Sequence, residues 1–294
     1  MFSIAADIRA NVPLAIVEAT PFPVLLYAED NFPGSFFVSI MYKNEKIVSS
    51  PMFLFPDSAY TYYAFLAVPY GYEIADKDLS IIFSADSKIL IEKTVPFFTQ
   101  TYRSETIELD RTLTSIREDT SKRRQYESRM LYELIVSFED YHGGLFDTWF
   151  MPVGSGRFSS YFGDIREFVY SDGEKAYSRH SGIDIASEKG TPVILPVYGR
   201  VMMAENRIVT GNTVVVCHAP GVYSLYYHLD KIFVKKEEEI VSGTVIGTVG
   251  TTGLSTGPHL HWEVRVAGVP VSPFSLIGCS LLDIIKKVIK IKQN

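Results

Sequence analysis

Two long stretches without a formally charged residue, 208–229 and 240–262, constrain the fold of this 294-residue chain more than any other feature. Each is long enough to cross a bilayer as a helix, yet Gly, Thr and Pro interrupt both. Valines alternating with threonines and glycines suit strands joined by tight turns, not a continuous helix. The second half is therefore expected to be β-rich, with no transmembrane segment. Any cleft framed by these strands would have mostly uncharged walls.

Four of the six histidines lie in three short motifs, His180-Ser-Gly-Ile-Asp184, Tyr227-His228-Leu229 and Gly257-Pro258-His259-Leu260-His261. Imidazole nitrogen and carboxylate oxygen are the donors that hold a catalytic zinc with one coordination position open. On an extended strand His259 and His261 project from one face. His180 and Asp184, four apart, come to one side of either a helix or a strand. Gly182 and the apolar Ile183 and Ile185 favour a loop running into a strand. His142 and His218 have no motif around them and read as hydrogen-bonded structural residues.

Over residues 152–273 the sequence resembles the zinc endopeptidases of the lysostaphin and LytM type, the M23 family of cell-wall peptidases. The likeness extends beyond the histidines to Lys189-Gly-Thr-Pro-Val193, Gly211-Asn-Thr-Val-Val215, Gly247-Thr-Val-Gly-Thr-Thr-Gly253 and Ser255-Thr-Gly-Pro-His-Leu-His-Trp-Glu-Val264. The resemblance implies that His180, Asp184 and His261 are Zn2+ ligands and that His228 and His259 are the catalytic pair beside the metal. It further implies a zinc-activated water attacking the scissile carbonyl, with the two histidines handling its proton and the developing oxyanion. The expected substrates are stem peptides or cross-bridges of peptidoglycan. Two alternatives stand beside this endopeptidase: a non-catalytic LytM-like regulator of another wall hydrolase, and a D-alanyl carboxypeptidase using the same metal. All five site positions are present, which favours an enzyme.

Neighbouring residues carry two readings each. Tyr226 shares a strand face with His228 and either lines the groove or packs. Glu263 either orients a metal ligand or pairs with Arg265. Asn212 reads as a turn residue, although an inhibitory segment can fill the open metal position in related enzymes. The glycines between 247 and 257 match no nucleotide-binding fingerprint and read as strands and turns.

A net charge of -6 gives no electrostatic reason to expect nucleic acid. Residues 1–29 show no basic n-region and no unbroken apolar core, so no signal peptide is read there. The implied substrate nonetheless points to the periplasm or cell envelope. Cys217 and Cys279 fit no zinc spacing and are compatible with pairing.

The whole is expected to be mainly β. Residues 1–110 contain short β-rich runs separated by Asn, Asp, Gly and Pro clusters, which suggests an immunoglobulin-like antiparallel sandwich. Such an accessory domain carries the further expectation of autoinhibition. Within 111–150 a linker helix is expected over 114–139, with Tyr126, Met130, Leu134 and Phe138 on one apolar stripe and the charged residues in solvent. Residues 151–275 form the antiparallel β LytM-type peptidase domain, and 276–294 an amphipathic tail that reads as a packed helix or a frayed end. Two departures from the family pattern stand out: Lys235-Lys-Glu-Glu-Glu239 where a glycine-containing turn is usual, and a Phe162-Gly163 and Arg166 segment that fits only loosely.

Overall fold

A computed structural model describes residues 8–28, 35–72 and 78–290. Residues 1–7 and 29 of the leader reading, and the end of the basic tail at 291–294, lie outside the described residues. With 48% strand and 14% helix the fold is mainly β.

The strands β1 (Ile8–Asn11), β2 (Ile16–Val17), β3 (Phe22–Ala28), β4 (Phe36–Tyr42), β5 (Glu45–Pro51), β6 (Phe53–Leu54), β7 (Thr61–Leu66), β8 (Asp78–Ala85) and β9 (Lys88–Phe98) build two sheets. Their orders are β1-β3-β7-β6 and β2-β9-β8-β4-β5. In β8 every second residue, Leu79, Ile81, Phe83 and Ala85, is buried, which is the signature of a strand with one face on a core. The short β2 joins β9 in parallel; the other pairings are antiparallel.

Strand β10 (Ser104–Glu108) follows, then helices α1 (Arg111–Glu118) and α2 (Lys122–Ile135). One continuous helix was the expectation; Asp119 and Ser121 interrupt it. The Asp119 carboxylate accepts from Ser121 N at 2.6 Å, and Ser121 Oγ accepts from Arg124 N at 3.2 Å, capping α2. The expected stripe is also rotated: Tyr126 is 56% exposed whereas Glu127 is buried. Glu127 is tolerated there because its carboxylate accepts from Arg123 Nε and from Ile208 N.

The C-terminal half comprises β11 (Arg157–Ser160), β12 (Ile165–Val169), β13 (Lys175–Arg179), β14 (Ile183–Ala186), β15 (Pro192–Ile194), β16 (Gly199–Arg207), β17 (Gly211–Ala219) and β18 (Val222–Ile232). After them come β19 (Glu239–Ile240), β20 (Val245–Val249), β21 (His259–Val266), β22 (Val269–Val271) and helix α3 (Leu281–Lys290). The main antiparallel sheet has the order β11-β14-β21-β18-β17-β16-β19. β17 and β18 are buried along almost their whole length, so the uncharged stretches are strands covered on both faces. Ile135, Leu131 and Leu134 cover one face over Val215, Tyr223 and Leu225. On the other, Val214, Val216 and Trp262 join a core continuous with that of the sandwich.

Three further placements bear on the sequence reading. Among the described residues β10 pairs with no sandwich strand; it runs parallel to β12, with Glu105 opposite Arg166. The tail is a docked helix: Ser280 and Asp283 form a reciprocal cap, and Leu281, Ile285 and Val288 are buried, with α3 packed on β3. Where a glycine-containing turn was expected, Glu237 itself takes the left-handed conformation at φ 68°. Cys217 and Cys279 are free thiols, the first buried. No helix among the described residues is long and apolar enough to cross a membrane.

Candidate metal centre

Three adjacent strands of the main sheet bring the motifs together. In the pairing of β14 with β21, Asp184 stands opposite His261 and Ala186 opposite His259; in that of β18 with β21, Tyr227 stands opposite His261. Period-two alternation puts Asp184 and both β21 histidines on one face. His180 opens the connection from β13 to β14, anchored by its N–H to Asp164 O at 2.9 Å. Gly182 lets the chain pass here, because a Cβ at this position would lie 2.3 Å from the Trp262 carbonyl oxygen.

His228 arrives by a different device. It sits where β18 stops pairing with β21 and begins to pair with β20, and its φ is +60°. A non-glycine residue in this region costs roughly 1–2 kcal/mol, held here by His228 N on Thr210 O and by the ring on Thr252 O. This kink breaks the alternation assumed for Tyr226 and His228. Tyr226 is fully buried, its hydroxyl bonded to Ser224, so it packs and does not line the groove. Tyr227 instead stacks on His261, ring centroids 5.1 Å apart.

Around the centre, His180 Nε2 is 2.9 Å from His261 Nδ1 and 3.2 Å from Asp184 Oδ1, and the last two atoms are 2.7 Å apart. A tetrahedral zinc with bonds near 2.0–2.1 Å spaces its ligand atoms by about 3.3 Å, so this triangle of two nitrogens and an oxygen fits such an ion after a small expansion. His228 and His259 lie beside it with ring centroids 4.8 Å apart, and His259 Nε2 is 3.8 Å from Asp184 Oδ1.

Each of the four imidazoles spends one nitrogen on a fixed acceptor behind it. His180 Nδ1 donates to Tyr161 O at 2.8 Å, His228 Nδ1 to Thr252 O at 2.8 Å, and His259 Nδ1 to Gly257 O at 2.8 Å. His261 Nε2 donates to Glu263 Oε1 at 2.9 Å. These acceptors select the tautomer of the neutral ring and leave its second nitrogen as the lone-pair donor, which at His261 requires loss of the proton it shares with Asp184. For His180 and His261 that nitrogen faces the triangle.

Burial and the neighbouring charges compete to set the charge states. It pushes His228 down to about 3, helped by His259 and His261, and also lowers His259, so both rings are neutral near pH 7. At Asp184 burial is outweighed by His261 and His180, which hold the carboxyl well below its ordinary range. At His261 burial is likewise overcome, by Asp184 and Glu263, and the ring is raised to about 9. Glu263 does both things foreseen for it: it accepts from His261 and pairs with Arg265 at 2.5 Å, and despite burial it is held at about 2.

A cleft of about 420 Å³ opens onto Asp184, His228, His259 and His261. Ile107 and Leu113, from β10 and α1, also line it. The remaining histidines lie elsewhere: His218 is buried between Tyr198 O and Ser224 Oγ, and His142 bridges Tyr63 and Asp140. Asn212 serves the backbone, donating to Leu229 O and Asp230 O. Unforeseen from sequence is the Arg166 side chain on Asp184, backed by Glu105. Arg166 stood in a noted motif, but nothing in the sequence marks Glu105 as its partner.

Residues 178–273 match peptidase family M23. The chain is 46% identical over 97 residues to the DD-carboxypeptidase/endopeptidase Mpg of Neisseria meningitidis, covering 33% of this chain and 22% of that protein. It is 44% identical over 98 residues to the peptidoglycan DD-endopeptidase ShyA of Vibrio cholerae, covering 33% and 23%. The chain thus spans under a quarter of the length of these relatives. A solved Pseudomonas aeruginosa structure assigned to peptidase M23 covers 87% of this chain and 93% of its own, with a TM-score of 0.59 at 23% identity, a likeness of fold.

Proposed function

We propose that the M23 peptidase domain carried by this chain is a zinc-dependent endopeptidase that hydrolyses peptide cross-links of bacterial peptidoglycan. One observation carries the reading: four imidazoles, each fixed from behind through one nitrogen, surround a single carboxylate. His180, Asp184 and His261 would hold the ion through Nε2, Oδ1 and Nδ1, which leaves a fourth position for water. Bound there, zinc would acidify that water and polarise the scissile carbonyl.

The protein's own groups do the rest. His228 and His259 are neutral and have Nδ1 committed, so Nε2 of either ring is free to take the proton of the attacking water. Once protonated, the same nitrogen donates to the oxyanion or to the departing amine. Burial of the His228 ring screens it from water and strengthens these hydrogen bonds. The names of the Neisseria and Vibrio relatives support a wall peptide as substrate and the cell envelope as the place of action.

A second reading, trimming of a terminal D-alanine, is supported by the Neisseria relative's double name and by the wall that β10 and α1 place along the cleft. That lining also supports restricted access imposed by the segment that follows the N-terminal module. Purified peptidoglycan digested with and without a chelator, with fragments identified by mass spectrometry, separates the possibilities. Chelator-sensitive release of cross-linked stem peptides as monomers is expected. Loss of single alanines alone would support the carboxypeptidase, and no chelator-sensitive product would leave a binding module.

A further inference from the structure

The acidic side of the centre does not end at Asp184. Its Oδ1 faces His180 and His261, whereas Oδ2 accepts from Arg166 Nη2 at 2.5 Å. Arg166 Nε in turn donates to Glu105 Oε1 at 2.5 Å, and Ser160 Oγ donates to Glu105 Oε2 at 2.8 Å. Glu105 belongs to β10, outside residues 178–273, and stands opposite Arg166 in the parallel pairing of β10 with β12. The strand leaving the sandwich therefore ends a chain of ionic contacts that begins at a metal-ligating carboxylate.

We infer that Glu105 is a positioning residue for the metal centre, acting through Arg166 on Asp184; this rests on the reading that His180, Asp184 and His261 hold a zinc ion. Two physical consequences follow from the geometry. With Oδ2 held by a guanidinium, only Oδ1 of Asp184 is offered to the ion, which keeps the fourth position open to water. A guanidinium so close to a dication is also a like charge beside the site, and its side chain is only 14% exposed, so water screens it weakly. Glu105 offsets that charge and pulls the guanidinium from its other edge. The centre then comprises three carboxylates, Glu105, Asp184 and Glu263, and two guanidiniums, Arg166 and Arg265, with one net negative charge to meet the ion.

The full chain tests this by competition for zinc with a chromophoric chelator at constant pH. Glu105→Gln keeps the size of the side chain, removes the charge and should weaken zinc binding roughly 10–100-fold, the usual cost of losing a supporting partner behind a ligand. In an Arg166→Gln background the same change should have no further effect, because Glu105 has lost the group it acts through. Should Glu105→Gln fail to fold, as judged by thermal unfolding of the metal-free protein, Glu105→Asp preserves the charge but shortens its reach and should give a smaller loss. Affinity of either folded variant within twofold of the parent overturns the inference, as does an equal loss in both backgrounds. A parent chain that binds no zinc overturns the metal-site reading itself, a distinct result.

Discussion

Glu263→Gln is the perturbation whose magnitude follows most directly from the structure. The carboxylate is buried between the His261 ring and the Arg265 guanidinium, at 2.9 and 2.5 Å. Glutamine retains the volume and an oxygen that accepts from His261, so the chief loss is the negative charge facing Arg265. Removing one partner of a buried ion pair typically costs about 3–5 kcal/mol, because the other charge is left uncompensated. A carboxyl held at about 2 against an ordinary 4.5 gives a similar figure, roughly 3 kcal/mol in favour of the ionised form. Urea unfolding of metal-free protein near pH 7 should therefore show a loss of about 3 kcal/mol. In Glu263→Gln combined with Arg265→Met much of that loss should return, since no unpaired charge stays behind. The sign of the pH dependence is fixed too. A depressed folded pKa gives stability that is fully present above the unfolded value and lost as pH falls through the folded one. The parent should thus weaken between about pH 4.5 and 2 in a way the variant does not. A single-variant loss below about 1 kcal/mol, or an unchanged acid limb, would refute the assignment of this pair as a strongly coupled buried one.

The remaining predictions concern turnover and backbone fit. His228→Ala should lower turnover on cross-linked peptides by about 10²–10³-fold while zinc content, measured by elemental analysis, stays at the parent level. Loss of zinc would instead place His228 among the ligands. Gly182→Ala should destabilise by roughly 1–3 kcal/mol in the same urea assay, because the added methyl meets the Trp262 carbonyl, which the pairing of β14 with β21 holds in place.

The legibility of this molecule follows the range of the forces involved. The uncharged runs announced β17 and most of β18 because strands covered on both faces leave little room for charge; β20, exposed at Val245, and β21, with its Glu263–Arg265 pair, were legible as strands from the Gly, Thr and Pro turns around them. His180, Asp184, His259 and His261 were legible as a group because strand alternation is local and the motifs are short. Of the two readings of Tyr226 the packing one holds; only the shared strand face with His228 fails, because period two does not run through His228 and nothing local signals a left-handed histidine. The linker was misread in two ways, both from competition between side chains and tertiary contacts. Asp119 and Ser121 turn the backbone where the apolar periodicity ran on, and Glu127 is buried because Arg207 and Ile208 approach from a strand about 80 positions away. Glu105 was invisible for the same reason: its partner lies on another element 61 residues later.

The parallel pairing of β10 with β12 also sets an order of events during synthesis. A ribosome releases the sandwich and β10 well before β12, and β12 before the last proposed ligand, His261, on β21. Domains tend to fold as they emerge, amino-terminal part first. The nascent chain thus presents β10 as an unpaired edge carrying Glu105 until the later strands arrive, and the proposed ligand set is complete only once β21 has joined β14. Completion of the proposed metal centre is in this way deferred until β21 has been made, long after the sandwich, a timing written into strand order.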